Sequence, residues 1–155
     1  MNIKNIALVA HDNRKSDLIE WAIWNYEMLI PHNLVCTGTT GKLIEEALNK
    51  KSKELNNQSN VKVQKLKSGP LGGDQQLGSM IVDNQIDFML FFWDPMEPHP
   101  HDVDVKALLR ISVLYNIPIA CNRSTADFMI SSKLMNENYK RKIKDYSSYI
   151  KREIK

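Results

Sequence analysis

The sequence predicts an α/β fold: one doubly wound domain, with a five-stranded parallel sheet and helices on both faces. Three observations predict it. Short apolar runs rich in β-branched residues alternate with longer segments of helical period, the pattern of repeated βαβ units. The run Phe88-Met-Leu-Phe-Phe-Trp93 is apolar on both alternating faces, as a strand covered by helices on each side requires. Polar, glycine-rich or acidic clusters follow every run at its carboxyl end, the edge at which open α/β sheets bind ligands.

The elements follow in order. Ile3 to Ala10 reads as the first strand, and Leu18, Ala22, Tyr26 and Leu29 then recur at helical spacing. Asn33 to Thr37 is the second strand, followed by a helix marked by Leu43, Ile44 and Leu48. Lys50 to Asn60 is polar, charged and aperiodic, and reads as an exposed excursion before the third strand, Val61 to Leu66. Leu77, Met80 and Ile81 mark the next helix, and Ile86 to Trp93 the fourth strand, expected at the middle of the sheet. Val105, Leu108, Leu109 and Leu114 precede the fifth strand, Pro118 to Cys121. These helical stripes read as core rather than as cofactor boxes.

Length and composition narrow the class. A chain of 155 residues, 43% of them hydrophobic, suits one domain spanning 1–155, and no internal repeat or dividing linker is visible. No stretch approaches the roughly 20 uninterrupted apolar residues of a membrane span. Met1 to Asn5 lacks the apolar segment and cleavage site of a secretory signal, so a cytoplasmic location is expected. Cys36 and Cys121 each end an apolar run, which favours buried reduced thiols over a disulfide. The net charge of +3 is uneven: from about residue 140 a basic tail carries seven Lys or Arg against Asp145 and Glu153, leaving the rest of the chain at −2. Without a basic face interleaved with aromatics, a solvated helix or subunit contact is expected there, not nucleic acid.

The chemistry concentrates in the clusters. His11, Asp12 and Lys15 follow strand one; Thr37-Gly-Thr-Thr-Gly-Lys42 follows strand two; Ser68-Gly-Pro-Leu-Gly-Gly-Asp-Gln-Gln76 follows strand three. Asp94 and the run His99-Pro-His-Asp-Val-Asp104 follow strand four, and Asn122-Arg-Ser-Thr125 follows strand five. Small residues that open a helix present free N–H groups and the positive end of its dipole, suited to a phosphate dianion. The spacing of Gly38, Gly41 and Lys42 is not that of a Walker A loop. Each signal also has a structural reading: Thr39 or Thr40 as a helix cap, Asp74 as a first-turn acid, Asp94 before Pro95 as a turn, His11 as a hydrogen-bonded strand-end group. His99, His101, Asp102 and Asp104 admit a metal cluster as a lesser reading, since no matching Cys/His set stands elsewhere.

Read together, the clusters resemble the methylglyoxal synthase family. The matching strings are Ile6-Ala-Leu-Val-Ala-His-Asp12, Thr37-Gly-Thr-Thr-Gly41, Ser68-Gly-Pro-Leu-Gly-Gly-Asp-Gln-Gln76, Phe91-Phe-Trp-Asp-Pro95, His101-Asp102 with Asp104-Val-Lys-Ala-Leu-Leu-Arg110, and Asn116-Ile-Pro-Ile-Ala120 followed by Thr125-Ala-Asp-Phe128. They run in order from about residue 3 to about 130, while the 50–60 excursion and the basic tail depart from the family pattern. The resemblance implies a lyase that converts dihydroxyacetone phosphate to methylglyoxal and inorganic phosphate through an enediolate, without metal or organic cofactor, assembled as a homohexamer that phosphate often inhibits. It implies Asp74 as the base, His101 polarising the substrate oxygens, and Asp104, Asp12 and Asp94 orienting the network. Lys15, Thr37, Gly38, Thr39, Thr40, Gly41, Ser68 and Gly69 would hold the phosphate, with His11 lining the same pocket. Two rival readings remain. A regulatory phosphate-binding module on the same fold would use the Thr37–Gly41 loop but not the acids, and a metal-dependent hydrolase would be built on His99 to Asp104.

Overall fold

The computed structural model describes residues 2–57, 59–98 and 100–151. Five parallel strands form one sheet in the order β3-β2-β1-β4-β5: β1 is Asn5–Ala10, β2 Asn33–Cys36, β3 Val63–Lys65, β4 Phe88–Phe92 and β5 Ile119–Ala120. All five expected strands are present, trimmed at their ends.

The helices are α1 (Lys15–Trp24), α2 (Tyr26–Leu29), α3 (Gly38–Glu54), α4 (Gly73–Val82), α5 (Asp102–Leu114), α6 (Arg123–Ile130) and α7 (Ser147–Ile150). The chain winds outward through β2 and β3, returns to the far side of β1, and winds outward again, so the crossovers fall on opposite faces. Side chains of β1 alternate accordingly. Ile6, Leu8 and Ala10 join the core under α1, α2, α3 and α6, whereas Ala7 and Val9 join the core under α4 and α5.

Three expectations need correction. The middle strand is β1, not β4; β4 is buried at all five positions because it is internal, and an all-apolar run reports that without fixing which internal strand it is. The helical stripe from Leu18 to Leu29 is interrupted at Asn25, whose side chain donates to the Trp21 carbonyl at 2.9 Å and ends α1 before α2 restarts. The polar run from Lys50 is, through Glu54, the last part of α3: lysine and glutamate are good helix formers and need no apolar partner on a solvent-facing turn. Ser52 in that turn is buried, its hydroxyl donating to the carbonyls of Asn57 and Ser59, and the Asn49 side chain exchanges two hydrogen bonds with the Val61 backbone.

Both cysteines are free, and burial pushes the Cys36 thiol up to about 12. Among the described residues no helix is long and apolar enough to cross a membrane.

Candidate active site

The switch point of the sheet lies between β1 and β4, and a polar pocket opens at their carboxyl ends. It gathers His11, Asp12, Lys15, Thr37, Gly38, Thr39, Thr40, Ser68, Gly69, Asp74 and His101 from the ends of four strands, with Val9, Ala10, Pro70 and Phe91 completing the wall.

The turn after β2 supplies the anion-facing side. Thr37 is the N-cap of α3 but its hydroxyl makes no capping bond, leaving it available to a ligand. Gly38 adopts φ +50°, and a Cβ there would lie 3.0 Å from Ser68 Cα, so only glycine lets the two turns approach. The first-turn N–H groups of α3 have no partner inside the helix and present its positive end. Lys15 reaches across, its ammonium 2.6 Å from Thr39 Oγ1 and 2.6 Å from Asp12 Oδ1.

The turn after β3 supplies the acid. Gly72 takes φ +97° and Gly73 is held so close to Lys67 that a Cβ would overlap its carbonyl, and Asp74 follows in the first turn of α4. The cap position belongs to Gly72, so Asp74 is not the helix cap. The carboxyl is buried, and its Oδ2 accepts no hydrogen bond among the described residues. Burial raises the Asp74 pKa; the His101 ring opposes this and the Asp104 carboxylate adds to it. His101 Nε2 stands 3.9 Å from that Oδ2, and a Cβ on Gly69 would come within 3.0 Å of both atoms. Acid, imidazole and glycine backbone therefore line one wall of the pocket together.

Asp94 has a different environment. Its Oδ1 accepts from the Met96 N–H at 3.0 Å and its Oδ2 from Asn13 at 3.2 Å, and these bonds hold its pKa below the ordinary carboxylate value. Its own N–H donates to His11 Nδ1 at 3.1 Å, which places the His11 ring proton on Nε2. The His11 ring packs edge-on to Phe91 at 5.1 Å and to His101 at 6.0 Å.

Three expected site residues lie off the pocket wall. Asp94 closes a turn and meets the pocket only through its N–H on His11; Asp104 stands near Asp74 in the first turn of α5; Gly41 packs α3 against the sheet, where a Cβ would lie 3.1 Å from Cys36 Cβ. Nor does the cluster after β5 join the pocket. Asn122 caps α6, accepting from the Thr125 N–H at 2.9 Å, because β5 is an edge strand remote from the switch point. Among the described residues no three His, Cys, Asp or Glu side chains gather as a metal ion would need, and His99 lies outside those residues. Sequence reading missed Asn13, which also donates to Glu97 at 2.5 Å, and Phe91; adjacency to His11-Asp12 was the available signal for the first.

Fold and site thus define a doubly wound α/β protein with a polar pocket at its switch point. A family model described as an MGS-like domain matches residues 17–121. The methylglyoxal synthase of Maridesulfovibrio salexigens is 53% identical over 154 residues, covering 98% of each chain. That of Clostridium acetobutylicum is 55% identical over 150 residues, covering 97% of this chain and 96% of its own. The crystal structure of methylglyoxal synthase from Elizabethkingia anophelis NUHP1 superposes with a TM-score of 0.87 at 53% identity, over 99% of this chain and 93% of that one. The chain belongs to the methylglyoxal synthase family of carbon–oxygen lyases.

Proposed function

We propose that this pocket converts dihydroxyacetone phosphate to methylglyoxal and inorganic phosphate, with Asp74 as the base. The observation that carries the reading is the buried Asp74 oxygen left without a hydrogen bond, 3.9 Å from the imidazole of His101. A carbon acid beside a ketone is far weaker than a carboxylic acid, so a carboxylate removes its proton only if donors aimed at the carbonyl oxygen stabilise the enediolate. Desolvation strengthens Asp74 as a base, and His101 and the Nε2–H of His11 are the donors.

The carbon–hydrogen pair becomes the carbon–carbon π bond as the proton passes to Asp74. Collapse of the enediolate then breaks the bridging carbon–oxygen bond and releases phosphate, leaving an enol that takes a proton to give methylglyoxal. Expulsion is fastest when that bond stands perpendicular to the enediolate plane. Thr37, Gly38, Thr39, Thr40, Ser68, Gly69 and Lys15 hold the phosphate in that orientation, Gly41 keeps the turn packed, and Asp12, Asp94 and Asp104 orient the donors and the base. Resemblance to the family further supports a single domain over 1–155 with a basic tail, a cytoplasmic homohexamer, and phosphate as both product and inhibitor.

The test mixes purified protein with dihydroxyacetone phosphate in EDTA and measures methylglyoxal and phosphate together. Equal release of both is expected, and Asp74→Asn should abolish it with the circular dichroism unchanged. Near-normal turnover by Asp74→Asn would transfer the role of base to Asp104. Loss of activity in EDTA, restored by zinc or manganese, would favour a metal-dependent hydrolase.

A further inference from the structure

At the opposite, amino edge of the sheet a second cleft is floored by Phe88 and Pro118, walled by Met129 and Met135, and flanked by Lys4 and Arg141. Lys4 and His11 bracket β1, which puts the cleft roughly 23 Å from the carboxyl-edge pocket at the rise of an extended strand. Its roof is the segment after α6, and the two cations tie that segment down. Lys4 Nζ donates to the Glu137 carbonyl at 3.0 Å; Arg141 donates to the Tyr115 carbonyl at 3.4 Å and to Asn84 at 3.5 Å.

Among the described residues neither cation is saturated. Lys4 is 7% exposed, yet its ammonium, with three donors, has one neutral acceptor and no carboxylate within ion-pairing distance among the described residues. The two Arg141 bonds lie at the outer limit of hydrogen-bond length and leave most of its five donors over. The acid facing them, Asp87, already accepts from the Asn5 N–H at 2.7 Å through Oδ2. His32, which accepts from the Lys4 N–H, is kept neutral by burial and by Lys4, with Asp87 opposing, so it adds no charge. The cleft therefore holds two cations against one anion, over apolar walls. A buried ammonium is costly without an anionic or well-bonded partner.

We propose that this cleft binds small organic carboxylates with an apolar body, the carboxylate on Lys4 and Arg141 and the hydrocarbon on Phe88, Met129 and Met135. Because the two pockets lie on opposite edges, occupancy of one leaves the other open.

Hexanoate is the probe, followed on the full-length wild-type protein by saturation-transfer NMR, with hexan-1-ol and inorganic phosphate as comparisons. Expected is a saturable hexanoate signal, with hexan-1-ol and the Lys4→Met and Arg141→Gln variants each weaker by about tenfold or more, the scale of a hydrogen bond to a charged group. Both variants should keep wild-type turnover of dihydroxyacetone phosphate, and phosphate should not displace hexanoate. If Lys4→Met fails to fold, Arg141→Gln decides. Hexanoate binding unchanged in the variants, displacement by phosphate, or no signal, as when a second copy covers the cleft, would overturn the proposal.

Discussion

Two turns at the same edge of the sheet treat their carboxylates in opposite ways. In the turn after β4, Asp94 is saturated by the Met96 N–H and the Asn13 amide, and its pKa falls. In the turn after β3, the Asp74 Oδ2 accepts no hydrogen bond among the described residues, and burial raises the pKa. What separates the two is that burial dominates at Asp74, whose Oδ2 accepts no hydrogen bond among the described residues, while hydrogen bonds dominate at Asp94.

The sharpest way to break this contrast is Asp74→Asn, expected to lower kcat by about 10³-fold, the range of a positioned general base. The same change should stabilise the fold. A carboxyl whose pKa is raised by folding loses stability as pH rises through that value, so at pH 7 the neutral amide should melt at a higher temperature by calorimetry. An unchanged or lower melting temperature would mean that Asp74 carries a structural bond after all.

Gly69→Ala comes next. Its Cβ would press on Asp74 Oδ2 and His101 Nε2 together, and displacement by a fraction of an ångström should cost about 10²-fold in kcat/KM with the melting curve little changed. Asp94→Ala should cost about tenfold, because it removes the bonds that fix the turn presenting its N–H to His11 while leaving the base in place; steady-state kinetics would separate it from Asp74→Asn. The smallest effect is Asp104→Asn. It removes a like charge, so the acid limb of kcat/KM should move to lower pH, though only partly, because burial is the larger cause of the Asp74 shift. A limb that stays put would show that Asp74 does not control it.

Much of this was legible in the sequence, because alternating apolar runs mark the strands and the helix faces between them, although they leave the strand order open. The strings ending in His11, Thr37, Ser68 and Asp94 announced a site because each sits where a strand stops. Less visible was the part played by position in three dimensions. Asn122 stands at a strand end too, yet an edge strand carries it away from the pocket, and periodicity holds no information about which strand is at the edge. Gly41 lies within the phosphate-type loop in sequence but one helical step turns it toward Cys36. The opposed states of Asp74 and Asp94 were hidden as well, since they depend on neighbours such as Asn13 and Met96 that no motif includes.

The outer strands, β3 with three residues and β5 with two, also bear on how the protein behaves in a crowded solution. So few open backbone groups give an incoming chain almost nothing to register against, and Glu45 already occupies the Val63 N–H. Copies of this protein should therefore meet through helical surfaces, and high concentrations should favour discrete particles over fibrils.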